Sequence, residues 1–132
     1  INIMEANELR IGNYLLYRDE NICQVSNIGN YFETSFNGLS YGSDNINDYK
    51  PIPLTEELLL KCGFYKAQYL EHIFQINING LYFAFDEAFE GEKDENIVGD
   101  FDECVTIRIP KYLHQLQNIY FALTGKELEI NL

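Results

Sequence analysis

His72-Ile73-Phe74-Gln75-Ile76-Asn77-Ile78-Asn79-Gly80-Leu81-Tyr82-Phe83-Ala84-Phe85-Asp86 sets two alternating runs on either side of an Asn-Gly pair. A two-residue loop with positive φ at both positions suits Asn79-Gly80, so the stretch predicts a type I′ hairpin. Counting back from the loop places Ile78 opposite Leu81, Ile76 opposite Phe83 and Phe74 opposite Phe85, which gathers the large apolar side chains on one face. Asn77 with Tyr82 and Gln75 with Ala84 fall on the other. A slip of one residue would turn the apolar set outward, so the register is strongly specified. That face needs a cover.

The natural cover is Lys111 to Thr124, closed by Gly125. Leu113, Leu116, Tyr120 and Leu123 recur at helical spacing, with Tyr112 and Ile119 widening the stripe. The back of this helix carries His114, Gln115, Gln117, Asn118 and Phe121, and no residue from Tyr112 to Gly125 is charged. A solvent-facing side in so acidic a protein would show Glu or Lys. His114, Gln117, Asn118 and Phe121 are therefore expected to meet another surface: the N-terminal strands, a second copy of the chain or a foreign protein. Amides and a neutral imidazole desolvate against such a surface at lower cost than charged groups.

Further strands are expected around the hairpin. Val105, Ile107 and Ile109 alternate with Thr106 and Arg108 as a third strand, and Leu128, Ile130 and Leu132 alternate with polar residues as a fourth. Residues 5 to 50 read as short strands broken by turns. Tyr14 to Tyr17 and Ile22 to Ile28 flank a polar turn, and Tyr31 to Phe36 meets Leu39-Ser40-Tyr41 across a second pair, Asn37-Gly38. The spacing of the turns predicts a small SH3-like barrel. Gly12, just before the first strand, serves a bulge or a tight entry, or is an ordinary loop glycine.

Lys50-Pro51-Ile52-Pro53 changes the texture, because proline cannot sit in a central strand, and it marks the expected seam between a 1–50 barrel and a 51–132 α+β subdomain. After it, Thr55 predicts the N-cap of a short helix. Glu56 and Glu57 occupy its first turn, Lys61 its last, and Gly63 closes it in the left-handed region; Leu54, Leu58 and Cys62 share its face. The fold class is thus α+β: an N-terminal SH3-like β-barrel followed by an antiparallel sheet covered by a C-terminal helix.

Composition bounds the function. With 132 residues and 46% hydrophobic content, burial of about two-thirds of the unfolded surface is expected. Cys23, Cys62 and Cys104 are three in number and widely spaced, which predicts neither a disulfide framework nor a zinc site and points to a reducing, cytoplasmic compartment. No apolar run approaches the roughly 20 residues of a membrane span. The formal charge is −12, and the stretch from Asp86 to Glu103 holds nine acidic residues against Lys93 alone. Phosphate-backbone binding needs clustered Lys and Arg, and the sequence has no basic stripe, so nucleic-acid binding is not expected.

Chemical motifs are sparse. The sequence has no nucleophile elbow, Gly-rich phosphate loop, H-E-x-x-H or EF-hand spacing. His72 and His114 are far apart in sequence and no Cys stands beside either in a recognisable arrangement, so structural histidines and small buried thiols are the default. Gly99-Asp100-Phe101-Asp102-Glu103 offers oxygen ligands without the spacing a Ca²⁺ loop requires, and a solvated charge run is the better reading. Ten Tyr fall mostly in predicted strands, where packing accounts for them. No catalytic residue, metal or cofactor is expected.

Three blocks carry a resemblance: Ala6-Asn7-Glu8-Leu9-Arg10-Ile11-Gly12-Asn13-Tyr14, then Pro51-Ile52-Pro53-Leu54-Thr55-Glu56-Glu57-Leu58-Leu59-Leu60-Lys61-Cys62-Gly63-Phe64, then His114-Gln115-Leu116-Gln117-Asn118-Ile119-Tyr120-Phe121-Ala122-Leu123-Thr124-Gly125. Together they cover about a quarter of the chain and, in the same order, resemble a family of small uncharacterised proteins from gut bacteria, their mobile elements and phages. The resemblance implies one protein type and a mobile-element setting, and it brings no activity or site residue. Function then reads as a non-enzymatic protein-interaction module of a bacterial or phage accessory system, with a protein partner or a homo-oligomer. The alternatives are an acidic decoy that mimics DNA, built on the carboxylates of 86–103, and an enzyme with an unrecognised site.

Overall fold

The computed structural model describes residues 6–18, 21–29, 32–36, 39–43, 46–67, 70–78, 81–86, 104–108 and 110–132. The turn residues Asn37-Gly38 and Asn79-Gly80, and the acidic connection beyond Asp86 with its Gly99-to-Glu103 oxygen cluster, lie outside the described residues. The class is α+β, with two sheets and two α-helices among the described residues. No helix among the described residues is long and apolar enough to cross a membrane.

The first sheet is antiparallel and holds β1 (Tyr14–Tyr17), β2 (Asn21–Ile28), β3 (Phe32–Phe36), β4 (Leu39–Ser43) and β5 (Tyr49–Lys50), in the order β4-β3-β2-β1-β5. Among the described strands this sheet is open, with β4 and β5 at its edges. Phe36 stands opposite Leu39, as the second Asn-Gly pair predicts. Alternation sends Leu15, Cys23, Val25, Phe32, Thr34 and Tyr49 to one face, all buried. A bulge between Val25 and Asn27 shifts the β2–β3 register, and the buried Ser26 hydroxyl has no hydrogen-bond partner among the described residues. The two-residue β5, which sequence periodicity is too short to register, pairs Tyr49 with Tyr17 and Lys50 with Leu16.

The second sheet has the order β6-β7-β8-β9, from β6 (Tyr65–Ala67), β7 (Leu70–Ile78), β8 (Leu81–Asp86) and β9 (Cys104–Arg108). Its β7–β8 register pairs Ile78 with Leu81, Ile76 with Phe83 and Phe74 with Phe85, as the hairpin reading requires. Phe74 is completely buried. The expected all-antiparallel sheet is corrected at β9, which runs parallel to β8. A parallel neighbour needs a crossover of a dozen or more residues, and the stretch between Asp86 and Cys104 has that length. Tight-turn signals could not reveal this, since they report only on antiparallel neighbours.

The helices are α1 (Glu56–Lys61) and α2 (Leu113–Thr124). Thr55 caps α1 as expected, its hydroxyl accepting from the Leu58 N–H at 3.1 Å, and Gly63 follows at φ 89°. The buried side is set by Leu59 and Cys62, while Leu54 and Leu58 are half-buried, a rotation of the expected face.

The division into units corrects the expected one at 50/51. One compact unit joins the chain up to Leu54 with Lys111–Glu127; the other is Thr55–Pro110 with Leu128–Leu132. The cause is local hydrogen bonding. Leu54 donates to the Lys111 carbonyl and Leu113 donates to the Ile52 carbonyl, both at 2.9 Å, bridging Pro53 to Tyr112. Pro51 and Pro53 lack an N–H, so the residues between and after them make the pairing, and the proline segment staples the entrance of α2 to the N-terminal unit. The helix expected at 111–124 packs on β1. The expected fourth strand does not form among the described residues: Glu127 to Leu132 pairs with no described strand, and it is held by buried Leu128 and by the Asn131 N–H donating to the Lys61 carbonyl at 2.9 Å.

Candidate functional site

The four residues singled out on α2 are placed by one interlock with residues 8 to 14. Gln117, 1% exposed, accepts from the Tyr14 N–H at 2.9 Å and donates to the Gly12 carbonyl at 3.0 Å. Gly12 reaches this position at φ 100°, in the left-handed region that favours glycine, which settles it as a tight entry to β1. Asn118 accepts from Asn13 Nδ2 at 2.9 Å and donates to the Glu8 carbonyl at 3.0 Å. Asn13, fully buried, also accepts from the Arg10 N–H at 2.8 Å.

Arg10 finishes the interlock from outside. Its guanidinium pairs with both carboxylate oxygens of Glu127 and lies 4.3 Å from the centroid of the Phe121 ring. Phe121 stays 38% exposed. His114 is 1% exposed, and neither of its ring nitrogens has a hydrogen-bond partner. Burial lowers its pKa, while the Glu8 carboxylate, 3.7 Å from Nε2 and too far for a hydrogen bond, pulls the other way as a nearby charge.

Of the outcomes the sequence left open for this face, the chain's own N-terminal segment is the one realised. His114, Gln117 and Asn118 face residues 8 to 14 and are not available to a foreign surface, and Phe121 carries Arg10. The helix presents Leu113, His114, Leu116 and Gln117 as its buried side, rotated from the expected Leu113-Leu116-Tyr120-Leu123 stripe; Leu123 is exposed.

A different feature of the N-terminal sheet is open. Tyr17, Asn21, Cys23, Thr34 and Phe36 line a recess of about 150 Å³ on its buried face. Their convergence follows from register, since Tyr17 pairs with Asn21, Cys23 with Leu15 and Gln24 with Ser35, bringing the ends of β1, β2 and β3 together. Tyr17 and Phe36 are partly buried at its rim and the other two inner members, Cys23 and Thr34, are buried. Behind Tyr17 stands Tyr49, centroids 5.2 Å apart, and Phe32 meets Tyr49 edge-on at 4.9 Å. The Thr34 and Tyr49 hydroxyls are hydrogen-bonded at 3.1 Å.

The thiols are poor nucleophiles in these settings. Burial raises the pKa of Cys23, whose sulfur donates weakly to the Leu15 carbonyl at 3.5 Å, and pushes Cys62 up to about 11. A thiol attacks as thiolate, and both environments hold the proton on. The side chains of His72 and Cys104 lie outside the described set. No group of three or more His, Cys, Asp or Glu among the described residues is arranged to hold a metal ion.

Sequence reasoning passed over the recess. Tyr17, Cys23, Thr34 and Phe36 each read as ordinary alternating strand residues, and only register across three strands brings them together. Comparison of the chain with protein-family models, with curated proteins and with solved structures found no match.

Proposed function

We propose that this chain is a non-enzymatic protein-interaction module of a bacterial or phage accessory system, acting in the cytoplasm, and that it engages its partner through the recess on the N-terminal sheet. The observation that carries the reading is the recess itself: a side-chain-sized hollow, walled by rings, on a sheet that a small SH3-like barrel would curl around it. Interfaces concentrate their energy where one anchoring side chain fills such a pocket. The two buried, protonated thiols support binding over nucleophilic chemistry. The formal charge of −12 favours a basic protein surface over nucleic acid as the partner. The three sequence blocks that resemble gut-bacterial and phage proteins supply the setting.

The test compares capture by the wild type with capture by Phe36→Ser, a change at the half-buried rim, with folding checked by circular dichroism. A specific protein retained by the wild type and lost by a folded Phe36→Ser variant is the expected result. Equal capture by both removes the recess from the function.

A further inference from the structure

The size, walls and charge of the recess narrow what it holds. A cavity of about 150 Å³ accommodates one benzene-sized group, so the occupant is a single side chain. Its rim rings are fixed before any ligand arrives, because Tyr49 backs Tyr17 and is itself tied to Thr34. The described lining residues include no charged side chain. An anion would find no countercharge among the described lining residues. A compact ammonium would give up strong hydration with no carboxylate among the described lining residues to replace it. A guanidinium is flat and weakly hydrated, stacks on aromatic faces, and carries only donors. The Asn21 amide and the Thr34 hydroxyl both offer acceptor lone pairs to such a group. The chain supplies its own instance, since the Arg18 guanidinium lies 5.1 Å from the centroid of the Tyr17 ring.

We infer that the recess takes the guanidinium of an arginine side chain presented by a basic partner protein. This rests on the interaction-module reading and specifies its ligand. Ring-quadrupole attraction acts on a cation and not on a neutral group of the same shape.

A capped Gly-Arg-Gly peptide and its citrulline counterpart separate charge from shape, because citrulline keeps the planar, branched end and removes the charge. Each is titrated into isotopically labelled protein at about 150 mM salt, following the amide resonances of Tyr17, Cys23, Thr34 and Phe36. Saturable shifts with the arginine peptide, and binding about tenfold weaker with citrulline, are expected. Tyr17→Phe should keep this preference and Tyr17→Leu lose it; should Tyr17→Leu fail to fold, the two peptides on the wild type still decide. Equal affinity for both peptides overturns the arginine assignment and leaves a recess that reads shape, with the interaction-module reading intact. No shift with either peptide also overturns it, and the capture comparison with Phe36→Ser then reports separately on the module.

Discussion

The two helices are held in opposite ways. α1 spans six residues and relies on devices any short surface helix can use: a Thr55 cap, Glu56 and Glu57 in the first turn, Lys61 in the last, and exposed ion pairs from Glu57 to Lys61 at 3.5 Å and from Glu56 to Lys66 at 2.6 Å. α2 spans twelve residues without one charge and buries two polar side chains beside Leu113 and Leu116. Burial of those two leucines stabilises by about 1.5–3 kcal/mol each, but apolar contact tolerates rotation of a helix about its axis. Gln117 does not tolerate it. Its amide spans the Gly12 carbonyl and the Tyr14 N–H, and only one orientation of α2 satisfies both. Generic caps and charges therefore make a helix form, whereas buried amides decide where it docks.

The largest way to break this contrast is Gln117→Leu. The substitution keeps the volume approximately and removes both hydrogen bonds, leaving the Tyr14 N–H buried without its partner, whereas the Gly12 carbonyl retains Gln24 Nε2 at 3.1 Å. A loss of about 2–3 kcal/mol is expected, read as a lower urea midpoint with unchanged slope. A loss below about 0.5 kcal/mol would mean that apolar burial alone seats α2.

The same contrast explains what could be read from the sequence. The 72–86 register was legible because Asn79-Gly80 and strict alternation leave one solution, and α1 because Thr55 and Gly63 bracket it. That the His114, Gln117 and Asn118 side of α2 would meet a surface was legible from its missing charges. Which surface was not, because the deciding bonds join residues 8–14 to Gln117 and Asn118 across about a hundred residues, and amides carry no pattern that names a partner. The parallel β9 and the recess escaped for a related reason. β9 pairs across a long connection and the recess depends on the combined register of three consecutive strands, and neither leaves a periodicity within a single strand.

His114 sharpens the comparison from the other side, since it is a buried polar residue of α2 without a bond. Its folded-state pKa lies below the unfolded value of 6.5, so the unfolded chain takes up the proton first as pH falls. Its contribution is fully present above 6.5 and is lost as pH drops from there toward the lower folded value. The groups facing it are the Glu8 carboxylate, which limits the shift, and the stacked Tyr112 ring, 6.0 Å away between centroids. His114→Phe removes two unsatisfied nitrogens, so it should raise stability by up to about 1 kcal/mol and flatten the pH dependence below 6.5. Urea titrations of both proteins at several pH values check this. A steeper acid loss in the variant would show that the imidazole, paired with Glu8, holds the segment in place.

The smallest expected effect falls on the generic side of the contrast. Thr55→Ala removes the one side-chain acceptor of the first turn of α1, the hydroxyl bonded to the Leu58 N–H, and a loss of about 1 kcal/mol is expected. That site is exposed, so water takes over the freed N–H and no buried group is orphaned. Thr55→Asp or Thr55→Ser restores an acceptor of the same reach and should recover most of the loss, because a cap asks for an oxygen rather than a particular side chain. Gln117→Asn offers no such recovery in α2: its amide is one methylene shorter and cannot span Gly12 and Tyr14 together. Rescue by a chemical relative at position 55 and none at position 117, both measured by urea denaturation, is the outcome that distinguishes a helix secured by interchangeable devices from one located by a single fit. Rescue at both positions would show that α2 has slack in its seat, and the Gln117 bridge would then follow the docking instead of determining it.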